Sequence, residues 1–343
     1  VTDTSRLLSW LDAQTWAMHP AAFLSMREIV GRWAEAPGFP PAMSREEKDS
    51  AIAAAQAARP VTQPYQAPQT ISVLSMFGVI SPRAGMASDL SQMGTSLDTF
   101  ASRYQAAMTD SNIAGVIVQI DSPGGNVYQV PETSDLIYSL RDNKPNVGVV
   151  TGMGASAAYF LAAQFGELVA SPSAEVGSIG VMMKHQDVSK MAEDSGVKVT
   201  FITSPRDGNK AEGNPFTPLT ADTAEYLNSR TDEYYQMFLE ALARGRGVNS
   251  QGPKSATSII DQSWGRGRMM GAGRALELGM IDRVGTMQSE VDRMVGKLSR
   301  KSGGGVRSEE EGGGVELVAG AQRESEVELE RQRVLAAARV RLA

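Results

Sequence analysis

From Thr70 onward, short apolar strands alternate with helical stretches, and this alternation constrains the fold more than any other feature of the chain. Strands are predicted at Ile71–Val79, Ile113–Ile120, Asn146–Thr151, Glu167–Ala170 and Lys198–Thr203. Helices are predicted at Leu90–Ser111, Val130–Arg141, Ser156–Gln164, Val188–Ser195, Ala221–Arg244 and Gly271–Leu278. A strand such as IAGVIVQI at 113–120 is apolar at nearly every position, so both of its faces must be covered. Strand–helix alternation of this kind predicts an α/β fold with a mainly parallel sheet.

The flanking regions read differently. Residues 1–57 are predicted helical, with Leu7, Leu8, Leu11 and Trp16 on one apolar face and Phe23, Met26, Ile29, Val30 and Trp33 on another. Trp10, Trp16 and Trp33 read as packing residues. EAPGFPP at 35–41 breaks that pattern, and Ser44 followed by Glu47 forms a capping box for a second helix. Residues 58–69 hold three prolines and read as a linker, and the folded domain is placed at 70–297. Residues 298–343 pass through two glycine triplets and a glutamate run to a short helix rich in Glu, Arg and Ala. They are expected to form a flexible linker and a charged helical tail.

The chain has 343 residues and no cysteine, which removes a disulfide framework, a thiol nucleophile and cysteine-ligated metal. His19 and His185 are its only histidines, which argues against a His-rich metal site. A net charge of −6 without a basic stripe argues against nucleic acid as a partner. No window approaches the roughly 18 uninterrupted apolar residues of a membrane span, and 1–14 lacks the apolar run of a signal peptide. A soluble protein without membrane attachment is expected. Without a Walker A sequence, no cofactor is expected either.

Three segments carry the chemistry. DSPGG at 121–125 closes the strand 113–120, where ligand sites gather in open α/β sheets, and Gly124 and Gly125 can turn backbone N–H groups toward a carbonyl oxygen. A plain turn after Pro123 is the alternative. GMGASAAY at 152–159 places Ser156 among small residues at the start of an apolar helix, leaving room for a substrate and adding a partial positive charge for an oxyanion. Small residues that merely let the helix pack on the sheet are the alternative there. The third segment, GNKAEGNPF, offers Lys210, 54 positions after Ser156, as a base. That role requires a pKa several units below an exposed lysine's. His185, with Asp187 nearby, competes for it, and a Ser/His/Asp arrangement is the one composition favours. Tyr234, Tyr235 and Phe238 read as the buried face of the long helix, and Arg244, Arg246, Arg266 and Arg268 as a solvated basic loop.

Residues 70–290 resemble the signal-peptide-peptidase A family of serine peptidases, and within it the capsid-assembly (prohead) proteases of tailed bacteriophages. The matching stretches are DSPGG at 121–125, GASAAY at 154–159, EVGSIGV at 175–181 and GNKAEGNPFTPLT at 208–220, with GRGV at 245–248 and ALELGMIDRVGT at 275–286. The resemblance implies Ser156 as nucleophile, Lys210 as general base, and Gly125 and Ala157 as donors of the oxyanion-hole N–H groups. Gly124 and Ser178 are implied beside the site, with His185 kept as the alternative base. It implies a Clp protease/crotonase-like superhelix of ββα units, often assembled into rings, with a helical preface and a flexible tail. Cellular members carry an N-terminal membrane anchor, which this chain is expected to lack, and WAMHP at 16–20 looks like the phage branch.

The resulting expectation is a Ser/Lys endopeptidase that cleaves scaffold, portal or coat protein, and its own chain, during prohead maturation. It would act as a homo-oligomer in the host cytoplasm, within the assembling prohead. Alternatives are a cytoplasmic bacterial peptidase of the same fold, a crotonase-type acyl-CoA enzyme that needs neither Ser156 nor Lys210, and a non-proteolytic assembly protein.

Overall fold

A computed structural model describes residues 15–18, 23, 70–83, 94–204, 206, 208–248 and 255–302. The chain divides into two compact units, 1–299 and 300–343; the sheets and the helices belong to the first, except for the last residues of the final helix. The linker expected at 58–69 and nearly all of the expected tail lie outside the described residues.

The larger sheet is built around β2 (Thr70–Phe77), β5 (Ile113–Ser122) and β7 (Asn146–Ala155), which pair in parallel in that order. The first half of β7 continues in parallel to β8 (Glu167–Ala170) and its second half to β9 (Glu175–Gly177). Two late strands complete it: β12 (Arg283–Val284) lies parallel to β8, and β11 (Met269–Gly271) antiparallel to β9.

Helices cover both faces, as the apolar strands require. On one face Val116, Val118 and Ile120 of β5 pack under α1 (Leu97–Thr109), α2 (Val130–Leu140), α3 (Ala157–Ala162) and α5 (Ala221–Gly245). Phe160 of α3 stacks on Phe238 of α5 with ring centroids 4.7 Å apart. On the other face Ile117, Val147, Val149 and Val169 meet Val291 and Met294 of α8 (Met287–Ser302). Successive residues of β5 thus point to opposite helical layers. Hydroxyl caps fix where helices begin: Ser96 accepts from Thr99 N at the start of α1, and Thr220 from Thr223 N at the start of α5.

A smaller sheet stands at the C-terminal ends of these strands. After β2 the chain turns at Gly78 (φ 63°) into β3 (Ile80–Ser81), and after β5 it turns into β6 (Gly124–Asn126). β6 pairs with β3, and β3 with β4 (Thr95–Ser96). On its other side β6 pairs antiparallel with β1 (Thr15–Met18), which also pairs antiparallel with β10 (Met182–Met183). The order β5, β6, α2 is one strand–strand–helix unit of the kind expected.

The structure corrects several expectations. Trp16, predicted on a helical face, lies in the strand β1; Thr and Trp both favour strands, and backbone partners on two sides override a weak helical pattern. The strand expected at Lys198–Thr203 is irregular and exposed, and among the described residues it pairs with no strand. α8 runs to Ser302, past the boundary drawn at 297. Within the basic stretch Arg266 and Arg268 are exposed as expected, whereas the side chain of Arg246 is buried and pinned. Arg246 makes a two-pronged pair with Asp282 at 2.8 and 3.0 Å, Arg244 reaches Asp135 at 2.6 Å, and Arg266 reaches Asp261 at 2.7 Å. Tyr235, half-buried, donates to Asp261 at 2.7 Å from the face expected, and Phe238 is buried.

Candidate active site

Ser156 sits where β7 gives way to α3, at the C-terminal edge of the parallel sheet, where open α/β folds place their ligands. Its backbone takes φ 54° and ψ −118°, a conformation that costs a residue with a side chain on the order of 1–3 kcal/mol. Neighbouring strands impose it. Gly154 pairs with Ser122 of β5, Ala155 pairs with Gly177 of β9, and Ser156 N donates to Gly177 O at 2.8 Å. Ser156 is fully buried, and its Oγ donates to the carbonyl oxygen of Gly180 at 3.3 Å. Ala157 begins α3, also fully buried.

The DSPGG turn is tied to this corner by side chains. Asp121 Oδ1 accepts from Met153 N at 2.9 Å, and a Cβ on Gly152 would come within 2.6 Å of that same oxygen. Ser122 Oγ donates to Gly78 O at 2.6 Å and accepts from Gly124 N at 3.2 Å, holding the turn in which Gly124 adopts φ 96°. Gly125 is enclosed by β3: a Cβ there would stand 1.9 Å from Ile80 O. Gly124, Gly125, Ser156 and Ala157 therefore share one end of the sheet. Sequence reasoning weighs the glycines of DSPGG and passes over Asp121 and Ser122; hydrogen-bonding side chains flanking a glycine pair are the available signal.

Ser178 is buried and also at positive φ (51°), with its N–H donating to Arg268 O at 2.9 Å. Gly180, which no motif singles out, supplies the acceptor for Ser156 Oγ. Its surroundings in EVGSIGV are the only hint.

The base candidates stand differently. Lys210 lies exposed on a 3-10 turn (Gly208–Ala211), and no hydrogen bond joins it to Ser156 among the described residues. His185, half-buried, pairs its Nε2 with Asn214 O at 3.2 Å, while Asp187 accepts from Ser189 N at 2.8 Å. The Asp187 carboxyl is held below its usual range, chiefly by the hydrogen bonds from Ser189 and less by the charge of His185. His185 and Asp187 are thus each engaged away from Ser156. A cavity of about 350 Å³ opens beside β10, lined by Val181, Met182, Met183 and His185 on one side and by Leu219, Leu227 and Thr231 on the other. Among the described residues no helix is long and apolar enough to cross a membrane, and no group of three or more His, Asp or Glu is placed to hold a metal ion.

Residues 139–299, which include Ser156, Ser178 and Lys210, match Peptidase family S49. The chain is 31% identical over 246 residues to "Capsid assembly protease C" of Escherichia phage lambda, covering 71% of this chain and 54% of that protein. It is 34% identical over 185 residues to "Head-tail preconnector protein GP5" of Enterobacteria phage P21, covering 54% of this chain and 36% of the relative. The chain thus spans about half or less of the length of these relatives. Among solved structures it is similar to a ClpP1 mutant from Listeria monocytogenes at 14% identity and a TM-score of 0.37, covering 63% of this chain and 92% of that one.

Proposed function

We propose that this chain is a serine endopeptidase of family S49 that acts on head proteins of a bacteriophage during prohead maturation. The observation that carries the reading is Ser156 itself, held at positive φ at the C-terminal edge of the sheet with its hydroxyl on a main-chain carbonyl. Strain of that kind persists only where surrounding structure over-determines it, and it gathers at reactive positions. The phage role is supported by the printed name of a relative, a capsid assembly protease.

In this reading Lys210 takes the proton of Ser156 Oγ as the oxygen attacks the scissile carbonyl. The N–H groups of Gly125 and Ala157 receive the oxyanion, and Lys210 then protonates the departing amine. Water activated by neutral Lys210 hydrolyses the acyl-enzyme. A lysine serves as base only once its ammonium has been desolvated, so cover over the exposed Lys210 turn is part of the proposal. Its substrates are scaffold, portal or coat protein, and its own chain. It works as a homo-oligomer within the assembling prohead in the host cytoplasm, without a cofactor.

Mass spectrometry after treatment with a fluorophosphonate tests the assignment. The expected result is one adduct, on Ser156, forming far more slowly in Lys210→Ala and at an ordinary rate in His185→Ala. An adduct that depends on His185 and not on Lys210 would replace the base. Absence of any adduct on Ser156 in active protein would remove the serine mechanism.

A further inference from the structure

The strand β1 occupies a place that the chemistry reserves for something else. An extended peptide whose carbonyl is offered to Ser156 must lie between two stretches of backbone. One is Gly124–Asn126, tied to the Ser156 corner through Ser122↔Gly154. The other begins at Gly180, whose carbonyl touches Ser156 Oγ, and continues into β10. Binding by strand addition uses an open edge of this kind, with main-chain hydrogen bonds giving affinity whatever the sequence.

Here both edges are taken by the chain's own residues. Trp16, Ala17 and Met18 pair antiparallel with Asn126, Gly125 and Gly124, and Thr15 and Trp16 pair antiparallel with Met183 and Met182. β6 has β3 on its other side, and among the described residues β10 pairs only with β1. Removing β1 would leave a vacant slot one strand wide, between the oxyanion candidate Gly125 and the segment that touches the nucleophile. Met18 is 3% exposed, so the strand is docked by a buried side chain as well as by its backbone. Between Met18 and β2 run 51 residues, so the four-residue strand is not tethered closely to the sheet.

We infer that Thr15–Met18 is an intrachain occupant of the peptide-binding slot, lying where a substrate strand would lie and blocking Ser156 until it is displaced. The inference rests on the peptidase reading. A site open only in a minor population shows an apparent affinity reduced by that fraction, so loosening the strand raises activity without touching the catalytic groups.

Two full-length variants loosen it by different means. Ala17→Pro removes a backbone N–H and stiffens the chain inside a strand that has partners on both sides. Met18→Asp puts a carboxylate where a buried methionine sits. Each is compared with wild type by the rate of fluorophosphonate adduct formation on Ser156, and by hydrogen exchange of the amides in 15–18 and 182–183. The expected result is slow exchange in wild type. In at least one folded variant, exchange should be fast and the adduct should form about tenfold faster or more. Fast exchange of the 15–18 amides in wild type overturns the inference whatever the variants do. So does equal adduct formation in wild type and in a folded variant whose exchange shows the strand released. Fast exchange in a folded variant with no adduct on Ser156 in any form would instead sink the peptidase reading itself.

Discussion

The hydroxyl of Ser156 rests on the carbonyl oxygen of Gly180 at 3.3 Å, and the N–H of the same serine is held by Gly177 O at 2.8 Å. One segment, Gly177–Gly180, therefore fixes both the strained backbone and the direction of the side chain. That arrangement stabilises a strained conformation with the proposed nucleophile on it, and in this account it separates stability from activity at one position.

The first prediction concerns that separation. Ser156→Gly and Ser156→Ala both lack the hydroxyl, but only glycine relaxes at φ 54°. Relief of the strain exceeds the extra chain entropy of glycine, so Ser156→Gly should be about 1 kcal/mol more stable than Ser156→Ala. Urea denaturation of the two variants measures the difference. Equal midpoints would mean that the strain at Ser156 is no larger than the extra chain entropy of glycine.

Gly125→Ala should be far more damaging than an ordinary glycine replacement. The new methyl would meet Ile80 O, a main-chain atom that cannot swing aside, at 1.9 Å. Pairing of β3 with β6 must open, at a cost of about 3 kcal/mol or more. The fall in urea midpoint checks it, and a variant as stable as wild type would contradict the packing of β6 on β3.

Much of this is legible in the sequence. Strands with apolar residues at nearly every position must be buried on both faces, so IAGVIVQI and its neighbours reveal the parallel sheet. The glycine-rich corners DSPGG and GMGAS mark its C-terminal edge. The features that stay hidden depend on partners distant in the chain. Nothing within Thr15–Met18 tells that β6 and β10 lie on either side of it. KVTFIT at 198–203 reads as a strand because Val199 and Phe201 alternate with Lys198 and Thr200, yet strand propensity expresses itself only where an edge is available. Arg246 looks like a loop residue because its partner Asp282 lies 36 positions away.

That same segment leads to a prediction about assembly. Ile202 is 95% exposed, and Val197, Phe201 and Phe216 are exposed beside it in sequence or in ring contact. In the proposed homo-oligomer, exposed apolar surface of this kind is where copies would meet. Ile202→Glu should shift the protein toward the monomer in sedimentation velocity at concentrations where wild type is associated. An unchanged distribution would place the contact elsewhere.

Acid should loosen α8. Burial alone would raise the pKa of Glu167, but hydrogen bonds from Lys297, Arg283 and Arg293 outweigh it and hold the carboxyl down to about 2. A pKa depressed in the folded state stabilises the fold above the unfolded value near 4.3 and is lost as pH falls toward 2. Glu167→Gln should therefore be less stable than wild type by about 2 kcal/mol at pH 7, with the gap closing between about pH 5 and pH 2. Denaturation at a series of pH values reads the gap, and a gap independent of pH would contradict the role of the charge.

The most direct measurement is cleavage itself. Wild type, Ser156→Ala and Lys210→Ala are each co-expressed with the scaffold, portal and coat proteins of one phage head, and the products are read by intact-mass spectrometry. The account predicts discrete cleavage products with wild type and none with either variant. Products that persist unchanged with Ser156→Ala would contradict it.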